Sequence, residues 1–132
     1  MRRKANAVFI LADAIAPSRV LGYYTLCATA LRPGDVPPAA RKYIPRYPLV
    51  SATLIGRLAI AQQVQGQRLG AVLLADALRR AHSNADTVGS SMVVVGAIND
   101  AAARFYLAHG FVAFADTSRL LLPMRLAGLG RT

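Results

Sequence analysis

The stretch from Leu49 to Ala97 constrains this chain more than any other. An apolar run, Leu49–Ala61, leads into a polar, glycine-containing turn, Gln62–Gly70. A helix follows over Leu69–His82, where Leu69, Val72, Leu73 and Ala77 form an apolar stripe at helical spacing. After a loop at Ser83–Ser90 comes a second apolar run, Ser91–Ala97, whose Met92–Val95 core reads as a strand buried on both faces. A strand, a helix and a strand in this order cross over right-handedly and lay their two strands parallel. The remainder of the chain has to be built around that unit.

Upstream, Ala5–Leu11 and Val20–Leu31 read as strands on either side of a turn, Asp13–Arg19, that holds Pro17 and Ser18. They make an antiparallel hairpin. Arg32–Pro48 is a connection containing five prolines, with room for a short helix near Ala39–Tyr43. Downstream, Asn99 or Asp100 can N-cap a second helix that ends at His109 with Gly110 as its cap. Phe111–Ala115 and Leu120–Met124 supply a final strand pair around Asp116–Arg119. The expected domain is residues 1–125, with 126–132 as a tail. This order predicts an α/β (α+β) fold, a mixed sheet with helices packed on it.

At 132 residues and 55% hydrophobic composition, one domain with a sizeable core is expected. The charge is lopsided: 16 Lys plus Arg stand against 6 acids, a net +10. All six acids are Asp, and there is no Glu. Such a balance favours a polyanionic partner, nucleic acid being the commonest. Arg32, Arg41, Lys42, Arg46, Arg79 and Arg80 are the candidate phosphate contacts, with a plain solvated surface as the alternative. Cys27 is the single cysteine, so no internal disulfide forms, and a reducing cytoplasm fits. Met1–Lys4 followed by Ala5–Ile10 imitates a secretory signal, but Asp13 interrupts a stretch that also reads well as a strand. No uncharged apolar run reaches the roughly 18–20 residues that a membrane span needs.

Two segments carry the chemistry. Gln65-Gly66-Gln67-Arg68-Leu69-Gly70-Ala71 follows a buried strand and opens a helix. Free amides and the helix dipole make such a turn an anion pocket suited to a pyrophosphate, although a glycine turn is as often only a connection. In Asn99–Phe111, Tyr106 lies mid-helix, on a face that Phe105 and Leu107 cannot share. It could point into a groove beside the strand end and act as a general acid, or it could be a core tyrosine with a bonded hydroxyl. His82 and His109 sit near helix ends and read as structural. No cluster of His, Cys and Asp has metal-ligand spacing.

Taken together, these segments resemble the signatures of the GNAT acyltransferase superfamily. The carrying residues are Gly56-Arg57-Leu58-Ala59-Ile60, then QGQRLGAVLLADAL, then NDAAARFYLAHGFVAF. Gly22-Tyr23-Tyr24 and Arg46-Tyr47-Pro48 add a likeness to the branch of toxins that acetylate aminoacyl-tRNA. The resemblance runs from about Ala5 to Met124. It implies a mostly antiparallel twisted sheet and acetyl-CoA as acetyl donor. Backbone groups of Leu58, Ala59 and Ile60 would pair with the pantetheine arm, and amides of Gln65, Gly66, Gln67, Arg68, Leu69, Gly70 and Ala71 would hold the pyrophosphate. Asn99, Ala102 and Phe105 would line the groove, and Tyr106 would be the general acid. Direct attack by a neutral amine would need no covalent enzyme intermediate. Aminoacyl-tRNA as substrate, a ribbon-helix-helix antitoxin and a homodimer follow by the same analogy, with no membrane partner.

The sequence departs from the family pattern at three places. Arg68 stands where a glycine is usual, Ala61 stands where relatives often place Asp, and the chain is expected to lack the family's first strand and following helices. There is no Glu, and no obvious carboxylate sits beside the expected thioester site to neutralise a lysine ammonium. An α-amine, with a reference value near 7.7–8.0, needs far less help than a lysine near 10.4. Acetylation of a small amine or a protein N-terminus is the alternative activity. A non-catalytic module that binds CoA or an antitoxin is the alternative to an enzyme.

Overall fold

The computed structural model describes residues 7–16, 18–32, 34, 36–38, 41, 50–113 and 118–127. The expected short helix near Ala39–Tyr43 falls outside the described residues apart from Arg41, and so do Lys42 and Arg46.

The hairpin forms as expected, from β1 (Ala7–Ala12) and β2 (Val20–Leu31), paired antiparallel. β3 (Val50–Ile60) continues the antiparallel order against β2. A 3-10 turn, Gln62–Val64, leads to α1 (Leu69–Val88), and β4 (Met92–Gly96) returns parallel to β3. Then come α2 (Asp100–Ala108), β5 (Val112–Ala113), β6 (Arg119–Pro123) and α3 (Met124–Ala127). The sheet order is β1-β2-β3-β4-β6-β5, and β3–β4 is its parallel pair. The mixed, mostly antiparallel sheet is therefore present.

Two apolar cores lie on opposite faces of this sheet. On one, Leu73, Leu74, Ala77, Leu78 and Ala81 of α1 and Tyr106 of α2 pack over Tyr24, Ile55, Val93, Val95 and Leu122. On the other, Leu31, Val36, Val50, Ala52, Met92, Val94 and Leu121 cluster. Alternate residues of β4 enter alternate cores, which is why all four of Met92–Val95 are apolar.

Three boundaries differ from expectation. α1 runs six residues past His82, to Val88, and stops at Gly89 in the left-handed conformation. Ala81 and Ala85 carry the buried stripe onward, while Ser83 and Asn84 face solvent on the same helix. His82 is thus an exposed mid-helix residue and not a helix-end group. Val72 lies outside the stripe, exposed, and Leu74 takes its place in the core. The last strand ends at Pro123, because Met124–Ala127 turns into a short helix that buries Met124 and Ala127. The packed domain therefore reaches past residue 125.

Gly22 permits a close approach of β2 to β3 and α1. A Cβ there would meet the Ala59 carbonyl oxygen at 2.8 Å and the Ile60 and Leu73 side chains at 2.9 Å. β1, β2 and α1 are tied together around one carboxylate. The buried Tyr24 hydroxyl donates to Asp76 Oδ2 at 2.5 Å, and Arg79 Nη2 and Arg80 Nε donate to the same group at 2.7 and 3.2 Å. Phe9 stacks on Tyr24, and the Arg80 guanidinium lies 4.2 Å over the Phe9 ring. Burial pushes the Asp76 carboxyl up, but the three donors outweigh it and hold it below its ordinary value. Burial and the neighbouring carboxylate push the Tyr24 phenol well up.

Gly22→Ala should cost about 1–3 kcal/mol, since a backbone oxygen blocks the new methyl, and urea unfolding measures the loss. Tyr24→Phe should cost about 1.5–3 kcal/mol at neutral pH by removing a donor to a charged acceptor. A depressed folded value means that Asp76 contributes fully above about pH 4 and loses its contribution as pH falls through the folded value. The deficit of Tyr24→Phe should therefore narrow below about pH 4, and unfolding curves on either side of that pH measure it.

Candidate functional site

The site begins where two strands part company. β3 pairs with β2 as far as Ile60, but its pairing with β4 stops at Ile55↔Val95. Beyond that point Gly56–Ile60 shows an edge that β4 does not cover. Main-chain groups on such an edge are open to an extended ligand, which can add to the sheet as a strand does.

α1 starts beside that edge. Gly66 and Arg68 both take left-handed backbone, with φ of 89° and 63°. Arg68 is the N-cap residue, yet no side chain caps the helix and no acid lies in its first turn. The first amides of a helix have no intrahelical acceptor, so the positive end of α1 is bare. α2 is the contrast: the Asn99 side chain accepts from the Ala102 amide at 2.8 Å, and Asp100 occupies the first turn.

A cleft of about 400 Å³ lies between these elements. Ile60, Val64, Gln65, Gly66, Arg68, Leu69, Gly70, Ala71 and Phe105 line it. Ile60, Val64, Leu69, Gly70, Ala71 and Phe105 form a buried or half-buried, apolar floor, while Gln65, Gly66 and Arg68 form an exposed rim. None of the lining residues is acidic. The Gln65 side chain donates to the Ile60 carbonyl at 3.2 Å and fastens the turn to the strand end. A Cβ on Gly70 would stand 3.7 Å from the Phe105 ring, so a large side chain there would fill the cleft. An open strand edge, a bare helix start and an apolar floor together fit a long ligand with an anionic end and a neutral, hydrogen-bonding arm, which is the chemistry of coenzyme A.

Eight of the expected donor-binding residues line this cleft: Ile60, Gln65, Gly66, Arg68, Leu69, Gly70, Ala71 and Phe105. Leu58, Ala59 and Gln67 lie on the flanking strand and turn without lining it. Asn99 and Ala102 are engaged with each other as the α2 cap and are not in the lining, because capping a helix start uses the side-chain oxygen that a ligand contact would need. Val64 is a lining residue that sequence reasoning passes over, being a lone apolar residue in a polar turn.

Tyr106 does not point into this cleft. It is 7% exposed and packs edge-on against Phe105 and tilted against Phe111 in the main core. Phe105, one residue earlier, takes the groove-facing position. Burial pushes the Tyr106 phenol up, which keeps it protonated, as a proton donor must be. His109 ends α2, its Nδ1 lying 2.8 Å from the Phe105 carbonyl, and Gly110 follows with φ 95°.

The expected phosphate contacts are dispersed. Arg32 is exposed at the end of β2. Arg41 folds back to the Val36 and Gly34 carbonyls at 2.9 and 3.5 Å. Arg79 and Arg80 share Asp76, which offsets part of their charge. Arg57 and Arg104, which sequence reading does not single out, are exposed on the strand and helix that flank the cleft. Among the described residues no group of His, Cys, Asp or Glu could hold a metal ion. Among the described residues no helix is long and apolar enough to cross a membrane.

Residues 49–120 match the family model of an acetyltransferase (GNAT) domain. A tRNA-acetylating toxin of Mycobacterium tuberculosis (strain ATCC 25618 / H37Rv) is 34% identical over 108 residues, 81% of this chain. The chain spans 64% of the length of that curated relative. AtaT, solved in complex with acetyl-methionyl-tRNAfMet, superposes with a TM-score of 0.79 at 33% identity, over 89% of this chain and 71% of that one. A tyrosine-to-phenylalanine variant of AtaT, bound to the C-terminus of the antitoxin AtaR and acetyl-CoA, gives 0.73 at 29%, over 91% and 69%. With more than half of its length matched by the family model and its fold superposing on that of AtaT, the chain belongs to the GNAT acetyltransferase family.

Proposed function

We propose that this chain is an acetyl-CoA-dependent N-acetyltransferase that acts on the α-amine of aminoacyl-tRNA, as the toxin of a toxin–antitoxin pair. The observation that carries the reading is the cleft where the uncovered edge of β3 meets the bare start of α1. When bound, acetyl-CoA supplies an acetyl group activated as a thioester. Amides at the start of α1 hold its phosphates, the edge of Leu58–Ile60 aligns its arm, and Phe105 packs against it. A main-chain amide on that edge serves as the oxyanion donor. Tyr106 is the proposed proton donor to the leaving thiolate, at the thioester end of the ligand and apart from the cleft at the start of α1.

The substrate reading draws support from the acids. Asp13 is engaged with Arg19, Asp76 with Tyr24 and two arginines, and among the described residues no carboxylate lines the cleft. A site without a side-chain base suits an amine that is already partly neutral. The net charge of +10 suits an RNA-bearing acceptor, with Arg32, Arg41, Lys42, Arg46, Arg57 and Arg104 as proposed phosphate contacts. A ribbon-helix-helix antitoxin, a homodimer and a cytoplasmic setting complete the proposal, by analogy with the toxins that this chain resembles. Acetylation of a small amine or protein N-terminus is the second reading, since the cleft described is that of the donor and not of the acceptor.

Calorimetry with acetyl-CoA should show one site on the native chain and none on Gly70→Trp, whose side chain fills the cleft beside Phe105. Absence of binding by the native chain would remove the enzymatic reading. With charged tRNA, Tyr106→Phe should lower kcat by about 10²–10⁴-fold and leave acetyl-CoA affinity unchanged. Turnover at subsaturating tRNA should fall steeply with salt, whereas transfer to small amines alone, insensitive to salt, would select the second reading.

A further inference from the structure

Among the described residues, Arg68 is the one non-glycine residue with left-handed backbone, at φ 63° and ψ 20°. In that conformation a Cβ crowds the following carbonyl, and glycine would sit there without strain. The chain nevertheless carries a long cationic side chain at this point. The residue is exposed, so its side chain stands on the rim of the cleft and leaves the apolar floor open. Among the described residues the ion pairs are Arg19–Asp13, Arg79–Asp76 and Arg80–Asp76, and Arg68 is in none of them. Among those residues it is also the only full charge in the cleft lining.

We propose that Arg68 is a specificity-determining contact for the donor, its guanidinium pairing with a phosphate of CoA at the rim while the amides of α1 hold the phosphates from below. The proposal rests on the reading of the cleft as the CoA site. A guanidinium offers a planar fork of donors that matches phosphate oxygens, and the bare helix start beside it adds charge of the same sign. A side chain that merely blocked the cleft would instead weaken binding, and its removal would tighten it. Pairing and blocking therefore predict opposite effects of the same substitution.

The test is calorimetry of CoA and dephospho-CoA, which lacks the 3′-phosphate, on the native chain, Arg68→Gly and Arg68→Lys at low and high salt. Arg68→Gly should melt no lower than the native chain, since glycine suits the backbone there. It should bind CoA about tenfold or more weakly at low salt, with the gap closing as salt rises. Arg68→Lys should fall between the two. An equal loss for both ligands assigns the contact to the pyrophosphate, and a loss confined to CoA assigns it to the 3′-phosphate; either supports the proposal. Arg68→Gly binding CoA as tightly as the native chain, or more tightly, overturns it. Failure of the native chain to bind CoA at all is a separate result, which removes the cleft reading and this proposal with it.

Discussion

Everything at the site depends on β3 outrunning β4. A strand paired on both sides offers no main-chain groups to a ligand, and a strand paired on neither would not hold its shape. β3 is held by β2 along its length and released by β4 after Ile55. The released edge is therefore rigid and open together. The same divergence makes room for the start of α1, because the helix enters from the end of β3 and must cross the sheet to reach β4. The cleft follows from the topology before any side chain is considered.

The side chains then divide their labour. On the sheet face that carries α1 and α2, large apolar groups fix the two helices, and Gly22 leaves out a side chain that would push β2 away from β3 and Leu73. The Tyr24–Asp76 pair fastens the hairpin to α1 by a polar link, and three donors on one carboxylate satisfy a group that burial alone would penalise. At the cleft the pattern is reversed. The start of α1 is left uncapped and uncompensated, whereas α2, whose start does not open onto the cleft, is capped by Asn99.

Much of this is legible in the residues. The parallel crossover follows from two apolar runs separated by a helix, and Gly66, Gly70 and Ala71 reach the cleft because the turn that joins the strand to the helix must pass there. What is not legible lies in side-chain direction and in weak apolar signals. Phe105 and Tyr106 are adjacent, and helical periodicity separates their faces without saying which one the core claims. Asn99 carries a side chain suited to a ligand and to a helix cap, and the cap is local, so it wins. The last turns of α1 are hidden because Ala81 and Ala85 are small, and the polar residues between them read as a loop. Arg68 is the instructive case: the sequence marks it as unusual, and only the backbone angle explains why glycine is the residue it replaces.

The position of β4 has a consequence for how the chain is made. Its Met92–Val95 core is sealed between both apolar clusters, and its two neighbours are β3, earlier in the chain, and β6, later. Neither cluster can close until residues 119–123 arrive to pair with β4. During synthesis the hairpin, β3 and α1 can assemble as they leave the ribosome, but the central strand must wait with its apolar faces uncovered. The nascent chain is thus most vulnerable to aggregation in the interval between the emergence of β4 and that of β6.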